Sequence, residues 1–236
     1  MNSIFSYWYR AKAKLLTKTY NDEFLRWLCF ANAGMLHPGN IFLMKYAVEN
    51  LPTKDPIVEI GSFCGLSTNV ISYFVRNFKK ENDIFCSDKW VFQGAENGGY
   101  LGSSNISHSK YRIYVKETFA RNINFFSDKK PYPIELFSDD FFKKWLNKSK
   151  VVDIFKRNIQ LGGNISFCYI DGNHTYEFAK RDFENVNKHL VSGGFILFDD
   201  SVDSDPFGLT KLMKEIEKNP DYKLVMKNPN CLFQRL

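Results

Sequence analysis

Residues 57–68 decide the fold: they are Ile57-Val58-Glu59-Ile60-Gly61-Ser62-Phe63-Cys64-Gly65-Leu66-Ser67-Thr68. The stretch begins with a short apolar, β-branched run, which predicts a buried strand. The run stops at a glycine, and a helical pattern continues from Ser67 to about residue 78. A strand that turns at glycine into a helix leaves unpaired backbone N–H groups beside the turn. The stretch therefore predicts a strand–turn–helix unit in which Gly61 and Gly65 let a ligand approach the backbone closely.

An acid in this turn limits which ligand the turn can accept. Glu59 stands two residues before Gly61, and Ser62 and Phe63 follow directly, so the dinucleotide fingerprint G-x-G-x-x-G is absent. A carboxylate at the strand end repels a pyrophosphate but suits a ligand that carries an ammonium and a sulfonium group. The alternative interpretation is an ordinary βα turn of some other doubly wound α/β protein.

The composition indicates a globular chain of 236 residues, 44% of them hydrophobic and 17% aromatic. This length suits one α/β domain with a small appendage. The net charge of +6 comes without a dense lysine and arginine block, which argues against a nucleic-acid partner. The five cysteines include no C-x-x-C pair, so a reducing compartment is expected. With no apolar run of transmembrane length and no signal-peptide pattern, the expected localisation is cytoplasmic.

The chain is predicted to divide into a helical N-terminal extension, residues 1–52, and a main domain, residues 53–236. The first twenty residues hold four basic side chains and no acid, interleaved with apolar residues. Such a basic amphipathic helix can cover the main domain, pack against a second subunit of a homo-oligomer, or lie on a membrane surface. The turn around His37 predicts either a plain helix connector or a lid residue that reaches the active site.

Polar residues also follow the next two predicted strands. Asp88 ends the second strand, near the place where a βαβ site sets a carboxylate against ribose hydroxyls. Ser138 and Asp139 end the third strand beside the expected cofactor cleft, and they also suit the start of a helix predicted over about residues 140–158.

A glycine- and serine-rich segment, residues 91–110, lies between these two strands. Long segments of this kind inside a compact domain are usually functional lids or floppy insertions. We expect this segment, with Trp90 directly before it, to close over the substrate.

Three aspartates end the fourth and fifth predicted strands: Asp171 follows one, and Asp199 and Asp200 follow the other. A right-handed crossover makes such strands parallel and usually adjacent, so the three carboxylates should share one sheet edge. Crowded carboxylates repel one another unless a cation neutralises them. A divalent ion, Mg²⁺ by default, is therefore predicted. The alternative is that Asp200 caps the following segment and backbone amides hold Asp171.

The last two strands are predicted over residues 222–227 and 231–236, joined by a tight turn at Asn228-Pro229-Asn230. The sequence thus predicts an α/β fold whose parallel sheet is closed by an antiparallel terminal hairpin. Over residues 55–236 the chain resembles the class I S-adenosylmethionine (SAM)-dependent methyltransferases, in particular small-molecule O-methyltransferases of the macrocin and cephalosporin-hydroxylase-associated type. The resemblance rests on Glu59-Ile60-Gly61 with Gly65, on Asp88, on the signature Ile170-Asp171-Gly172-Asn173-His174-Thr175-Tyr176, and on Phe198-Asp199-Asp200.

This resemblance implies a Rossmann-like, seven-stranded, mostly parallel sheet and the cofactor SAM. It implies cofactor contacts from Glu59, Gly61, Ser62, Gly65, Ser67, Asp88, Ser138, Asp139 and Asp171, and Mg²⁺ ligands at Asp171, Asp199 and Asp200. In catechol-type members a lysine three residues after the first metal ligand is the base, and here His174 holds that position.

The expected reaction is methyl transfer from SAM to a hydroxyl of a small molecule, a sugar or a catechol-like diol. His174, with Asp171, is the expected catalytic pair, because histidine can accept a proton near neutral pH. Three alternatives stay open. The protein could bind SAM without methylating an acceptor, or it could use His174 without a metal. It could also be a nucleic-acid methyltransferase, although the sequence contains no base-flipping motif.

Overall fold

The computed structural model of the protein describes residues 22–91, 95, 98–202 and 208–236. The basic helix predicted in the first twenty residues and part of the predicted lid lie outside these ranges. The strands are β1 (Ile57–Ile60), β2 (Ile84–Ser87), β3 (Tyr132–Ile134), β4 (Lys150–Val152), β5 (Asn158–Gln160), β6 (Ile165–Ile170), β7 (Leu190–Phe198), β8 (Tyr222–Lys227) and β9 (Cys231–Arg235). The helices are α1 (Glu23–Ala31), α2 (Pro38–Glu49), α3 (Leu66–Asn77), α4 (His108–Phe126), α5 (Ser138–Leu146), α6 (Tyr176–Asn187) and α7 (Leu209–Glu217).

A seven-stranded sheet in the order β3-β2-β1-β6-β7-β9-β8 forms the centre of the molecule. The first five of these strands are parallel, whereas β9 runs antiparallel to β7 and β8 antiparallel to β9. The predicted Rossmann-like fold with its antiparallel terminal hairpin is confirmed.

The register of the parallel strands brings their carboxyl ends to one level. Ile60, the last residue of β1, pairs with Ser87 of β2 on one side and with Ile170 of β6 on the other. Ile170 in turn pairs with Phe198, the last residue of β7. The residues that follow these four strands therefore emerge along a single edge of the sheet.

Helices cover both faces of the sheet. Ile57 of β1 packs in a core cluster with helices α1 to α4, whereas its neighbour Val58 packs in a second cluster with α5 to α7. Because both faces are buried, the central strands are almost uniformly apolar, as expected of a parallel sheet. None of the helices in the described part of the chain is long and apolar enough to cross a bilayer.

One predicted helix, over residues 140–158, ends much earlier. Helix α5 stops at Leu146, and strands β4 and β5 follow as a separate antiparallel hairpin. The helix closes because Lys148 takes a positive φ of 47° and donates its N–H to the carbonyl of Trp145. The Trp145 indole then donates to the carbonyl of Gly163, which fixes the chain at this point.

Helix α4 begins inside the segment that was predicted as a lid. Ser107 caps it by accepting the N–H of Lys110 at 3.3 Å. The residues just before it form a small closed loop, in which Tyr100 bridges Ser107 and Leu101 donates to the carbonyl of Ile106.

The His37 turn is the N-terminal cap of α2. The His37 Nδ1 atom accepts the N–H of Gly39 at 3.0 Å, and Pro38 occupies the first turn of the helix. Gly39 lies against the β8–β9 turn, where an added Cβ would come within 1.7 Å of the carbonyl oxygen of Asn228. The start of α2 thus packs in close contact with the terminal hairpin.

We predict that Gly39→Ala destabilises the protein by about 1–3 kcal/mol, because the added methyl group meets backbone atoms that cannot move aside. Urea unfolding, monitored by circular dichroism, measures this change. Glu49→Ala, at an exposed position of the same helix, is the control and should stay within about 0.5 kcal/mol of the parent protein. Equal stability of the two variants would contradict the close packing of Gly39 against the β8–β9 turn.

Candidate active site

A cleft of about 890 Å³ opens along the carboxyl edge of the parallel strands. The segment between α1 and α2, residues 34–36, contributes one wall of it. The predicted site residues that line the cleft are Gly61, Ser62, Ser67, Asp88, Trp90, Ser138, Asp139, Asp171, His174, Asp199 and Asp200. Glu59, Gly65 and His37 do not line it.

Glu59 lies beneath the glycine turn and has no exposed surface. Its Oε2 atom accepts hydrogen bonds from the hydroxyls of Ser62, at 2.9 Å, and Thr68, and the Ser67 hydroxyl bonds the same carboxyl group. Oε1 has no hydrogen-bond partner among the residues that the structure describes. Burial raises the pKa of Glu59, and the hydroxyl donors oppose that shift. The structure thus places these hydroxyls as supports of the turn, with Glu59 outside the reach of a ligand in the cleft.

The two glycines of the turn meet protein atoms. Gly61 has φ +79°, and a Cβ there would lie 2.0 Å from the carbonyl oxygen of Asp171. Gly65 has φ +85°, and a Cβ there would lie 3.0 Å from the ring of Phe119. Glycine at position 61 is therefore required by the neighbouring strand end, as well as by any ligand above it.

Asp88 clamps the glycine turn through backbone N–H groups. Its Oδ2 atom accepts from Ser62 at 2.8 Å and from Phe63 at 2.9 Å, and its Oδ1 atom accepts from Trp90 at 2.6 Å. Burial raises the pKa of Asp88, and these three hydrogen bonds oppose that shift. Oδ1, which accepts one hydrogen bond, can accept a second, so clamping the turn leaves room for a ribose hydroxyl.

Trp90, predicted beside the substrate, is only 2% exposed. Its indole donates to the carbonyl of Phe63 at 2.9 Å and packs edge-on against Phe119, with 5.3 Å between the ring centroids. The structure therefore places most of this side chain in the core behind the turn. His37, the other residue predicted on the substrate side, caps α2 away from the cleft lining.

A buried network of neutral groups holds two of the three predicted metal ligands. Asn40 and Asn230 both donate to Asp199 Oδ1, Asn230 at 2.7 Å. The Tyr169 hydroxyl donates to Asp171 Oδ2 at 3.1 Å and accepts from Asn40 at 3.3 Å. Burial raises the pKa of Asp171 well above its ordinary value, and the adjacent carboxylate of Asp199 adds to the effect.

The sequence analysis missed Asn40, Tyr169 and Asn230. Both asparagines stand in turns that contain proline, and this pattern predicts only that they help to form the turn. Tyr169 is the one hydroxyl-bearing residue in the second half of an otherwise apolar strand. This hydroxyl group was the sequence feature that could have indicated a role in the site.

His174 stands between two carboxylates at the open side of the cleft. Its Nε2 atom lies 3.8 Å from Asp171 Oδ1 and 3.7 Å from Asp200 Oδ2. The turn that carries it is fixed by Asn173, whose side-chain oxygen accepts the N–H of Thr175 at 3.0 Å. Acidic neighbours of this kind orient an imidazole ring, as they do in histidine-dependent catalytic sites.

The carboxylates are not arranged as a metal-binding shell. Asp199 is 6% exposed, and its Oδ1 atom already accepts two amide donors. Across the described ranges, no group of three or more histidine, cysteine, aspartate or glutamate side chains could hold a metal ion. The donor geometry therefore does not support the predicted Mg²⁺ site at Asp171, Asp199 and Asp200.

The cleft is acidic although the chain as a whole carries a net charge of +6. The charged residues that line it are seven aspartates, at positions 88, 139, 140, 171, 182, 199 and 200, and two basic residues, Lys89 and Arg181. Arg181 pairs with Asp139, with 3.4 Å between Nη2 and Oδ2. Clustered acids of this kind favour a cationic ligand and disfavour a phosphate.

Solved structures with the same fold include several O-methyltransferases. The O-methyltransferase NovP is 16% identical, with a TM-score of 0.56 over 86% of this chain and 81% of its own. The TDP-rhamnose 3′-O-methyltransferase CalS11 of calicheamicin biosynthesis is 15% identical, with a TM-score of 0.53 over 83% and 78%. TomG from Streptomyces achromogenes, an O-methyltransferase of tomaymycin synthesis in complex with SAM, is 12% identical, with a TM-score of 0.51 over 94% and 89%. At these identities the likeness shows the fold.

Sequence comparison gives the family. Among curated proteins none matches this sequence. The sequence model of a methyltransferase domain, however, matches residues 58–201, which is more than half of the chain and includes the glycine turn and all three aspartates. The chain therefore belongs to the methyltransferase domain family, as its resemblance predicted.

Proposed function

We propose that this protein transfers a methyl group from SAM to a hydroxyl group of a small molecule, with His174 as the base. The observation that carries the proposal is the acidic cleft, which joins the glycine turn of a methyltransferase domain to a histidine flanked by carboxylates. SAM carries a sulfonium and an ammonium group, and both suit a cleft with seven aspartates and two basic residues.

The residues present fit this cofactor. The carboxylate of Asp88 follows β2 and keeps one lone pair, on Oδ1, for a ribose hydroxyl. The turn from Gly61 to Gly65 presents its backbone to the cofactor. When bound, SAM supplies an electrophilic methyl group. The likeness to TomG, which is a SAM complex, supports this choice of methyl donor.

The chemistry of this chain's own residues centres on proton removal from the acceptor. A hydroxyl group becomes a good nucleophile when a base takes its proton, and His174 faces the cleft where an acceptor can stand. Asp171 and Asp200, within 4 Å of its Nε2 atom, stabilise the imidazolium that forms. The cleft walls hold the two reactants together, which supplies much of the remaining rate enhancement.

The acceptor is a small hydroxyl-bearing molecule, and a sugar is the class that we favour. NovP and TomG are O-methyltransferases, and CalS11 acts on a TDP-rhamnose hydroxyl. No step of this proposal passes through a metal ion, because the carboxylates are held by amide and hydroxyl donors.

We expect Asp88→Ala to weaken S-adenosylhomocysteine binding at least about tenfold, because it removes both the clamp on the turn and the acceptor for ribose. Isothermal titration calorimetry measures the affinity. Asp83→Ala is the matched control, since Asp83 pairs with Lys129 at the opposite end of the same strand. Parent-like affinity in a folded Asp88→Ala protein would remove Asp88 from the cofactor site.

His174→Ala should slow methyl transfer about 10²–10⁴-fold, the usual effect of losing a positioned general base, while SAM affinity stays unchanged. A methyl-release assay with a panel of sugar and phenol acceptors measures the rate. His189→Gln, at the amino end of β7 beside Phe142, serves as the control. If no acceptor is methylated although SAM binds, the protein is a SAM-binding protein without this chemistry.

Removal of metal ions tests the metal-independent mechanism directly. We expect full activity after dialysis against EDTA, because amide and hydroxyl donors already hold Asp199 Oδ1 and Asp171 Oδ2. Loss of activity that Mg²⁺ alone restores would contradict this expectation. It would show that Asp171, Asp199 and Asp200 rearrange to bind the ion predicted from the sequence.

A further inference from the structure

A second cavity, of about 240 Å³, lies at the amino ends of β2 and β3. Ile84, the first residue of β2, lines it, and so does Pro131, just before β3. The other walls are the second half of α3, the loop between α3 and β2, and the loop between α4 and β3. The cleft opens at the opposite ends of these strands, and no residue in the described part of the chain lines both cavities. The second cavity is therefore separate from the proposed reaction site.

The charged residues that line this cavity are mainly basic. Within the described ranges they are Arg76, Lys80, Lys129 and Lys130, with one acid, Asp128. Arg76 pairs with Asp128, with 2.8 Å between Nη1 and Oδ2. Lys129 pairs with Asp83, with 2.7 Å between Nζ and Oδ1. These two ion pairs leave two of the four positive charges uncompensated, so the cavity has the opposite electrostatic character from the cleft.

The two uncompensated charges belong to Lys80 and Lys130, which have no carboxylate partner among the residues that the structure describes. Lys80 is half-buried. The Lys130 Nζ atom lies 5.3 Å from the centre of the Phe155 ring, which is a neutral partner. Charges of one sign beside a concave surface reinforce one another and attract the opposite charge. This arrangement therefore favours an anion in the cavity.

The end of α3 fixes the main chain of Lys80 beside the cavity. The N–H of Lys80 donates to the carbonyl of Val75 at 2.8 Å, and the N–H of Lys79 donates to the carbonyl of Arg76 at 3.0 Å. A helix ends in carbonyl groups without partners, which repel an anion. Two of the last carbonyl groups of α3 are occupied by these hydrogen bonds, so this repulsion is reduced here.

The rest of the cavity wall is apolar. It includes Tyr73, Val75, Ile84, Phe126 and Pro131. Phe24 of α1 packs behind both aromatic rings, with its ring centroid 4.8 Å from that of Tyr73 and 6.4 Å from that of Phe126. The cavity is smaller than the about 300–1,000 Å³ of pockets for drug-sized ligands. Its size and its mixed lining suit a small ligand that carries an anionic group and one ring.

We propose that this cavity binds a small phosphorylated molecule, with its phosphate group at Lys80 and Lys130 and its ring against the apolar wall. A phosphate monoester carries close to two negative charges at neutral pH and three acceptor oxygens, which suits two ammonium groups. The site uses no residue of the cleft, so it is independent of the proposed function. The acidic cleft disfavours the same ligand.

Isothermal titration calorimetry with phenyl phosphate, at low ionic strength, tests this site. The parent protein should bind phenyl phosphate with a Kd of about 1 mM or lower. Inorganic phosphate should bind at least about fivefold more weakly, because it has no ring to bury. Lys80→Met keeps the length of the side chain and removes its charge, and it should weaken phenyl phosphate binding at least about fivefold.

Lys79→Met is the matched control. It removes the same charge from the neighbouring residue, which does not line the cavity, and should leave the affinity within about twofold of the parent value. Thermal melting of each variant establishes that it is folded. S-adenosylhomocysteine is titrated into the same preparations. Its failure to bind would contradict the proposed function and leave this site standing.

The remaining outcomes decide the site itself. Absence of phenyl phosphate binding by the parent protein would overturn it. Equal weakening by Lys80→Met and Lys79→Met would show attraction to the general surface charge, which also rejects a defined site. Equal affinities for phenyl phosphate and inorganic phosphate would remove the apolar wall from the proposal. A short single-stranded DNA that displaces phenyl phosphate and binds more tightly would assign the phosphate to a nucleic acid and reject the small molecule.

Discussion

The in-register pairing of four parallel strands is the constraint on which the rest of the structure depends. Because Ile60, Ser87, Ile170 and Phe198 lie at one level, the chain must deliver the polar residues that follow them to the same small space. Carboxylates crowded at a buried edge repel one another and lose hydration, and both effects disfavour the charged forms. The local structure of the site therefore has to supply hydrogen-bond donors to the acids at this edge.

Each acid is held by neutral donors of a different kind. Hydroxyl groups hold Glu59 beneath the turn, backbone N–H groups hold Asp88, and asparagine amides hold Asp199. Neutral donors stabilise a carboxylate and leave its negative charge in place. A lysine or an arginine would cancel that charge. The cleft consequently stays electronegative in a protein with an excess of basic residues, and its charges are already oriented before a cationic ligand arrives.

The sequence predicted the ends of β1, β2, β6 and β7 well, because strands buried on both faces are largely apolar and these four stop just before glycine or aspartate. The sequence predicted the end of β3 at Ser138, whereas this strand ends at Ile134. It could not predict the donors of Asp199, since Asn40 is 159 residues away and only tertiary packing brings the two together. The hairpin after α5 was misinterpreted for a local reason. Lys148, between the end of α5 and the hairpin, has a positive φ, which usually favours glycine, so the sequence carries no sign of the break.

The helices before β1 take part in the site as much as the strands do. Leu28 and Met44 pack in the same core cluster as Ile57, so residues of the predicted extension and of the main domain share one core. The side chain of Asn32, just after α1, donates to the carbonyl of Cys64 in the glycine turn, and Asn40 of α2 donates to Asp199. A change in the packing of α1 or α2 must therefore move the glycine turn or the carboxylate of Asp199. The geometry of the cleft is therefore set jointly by the sheet and by the helices that precede it.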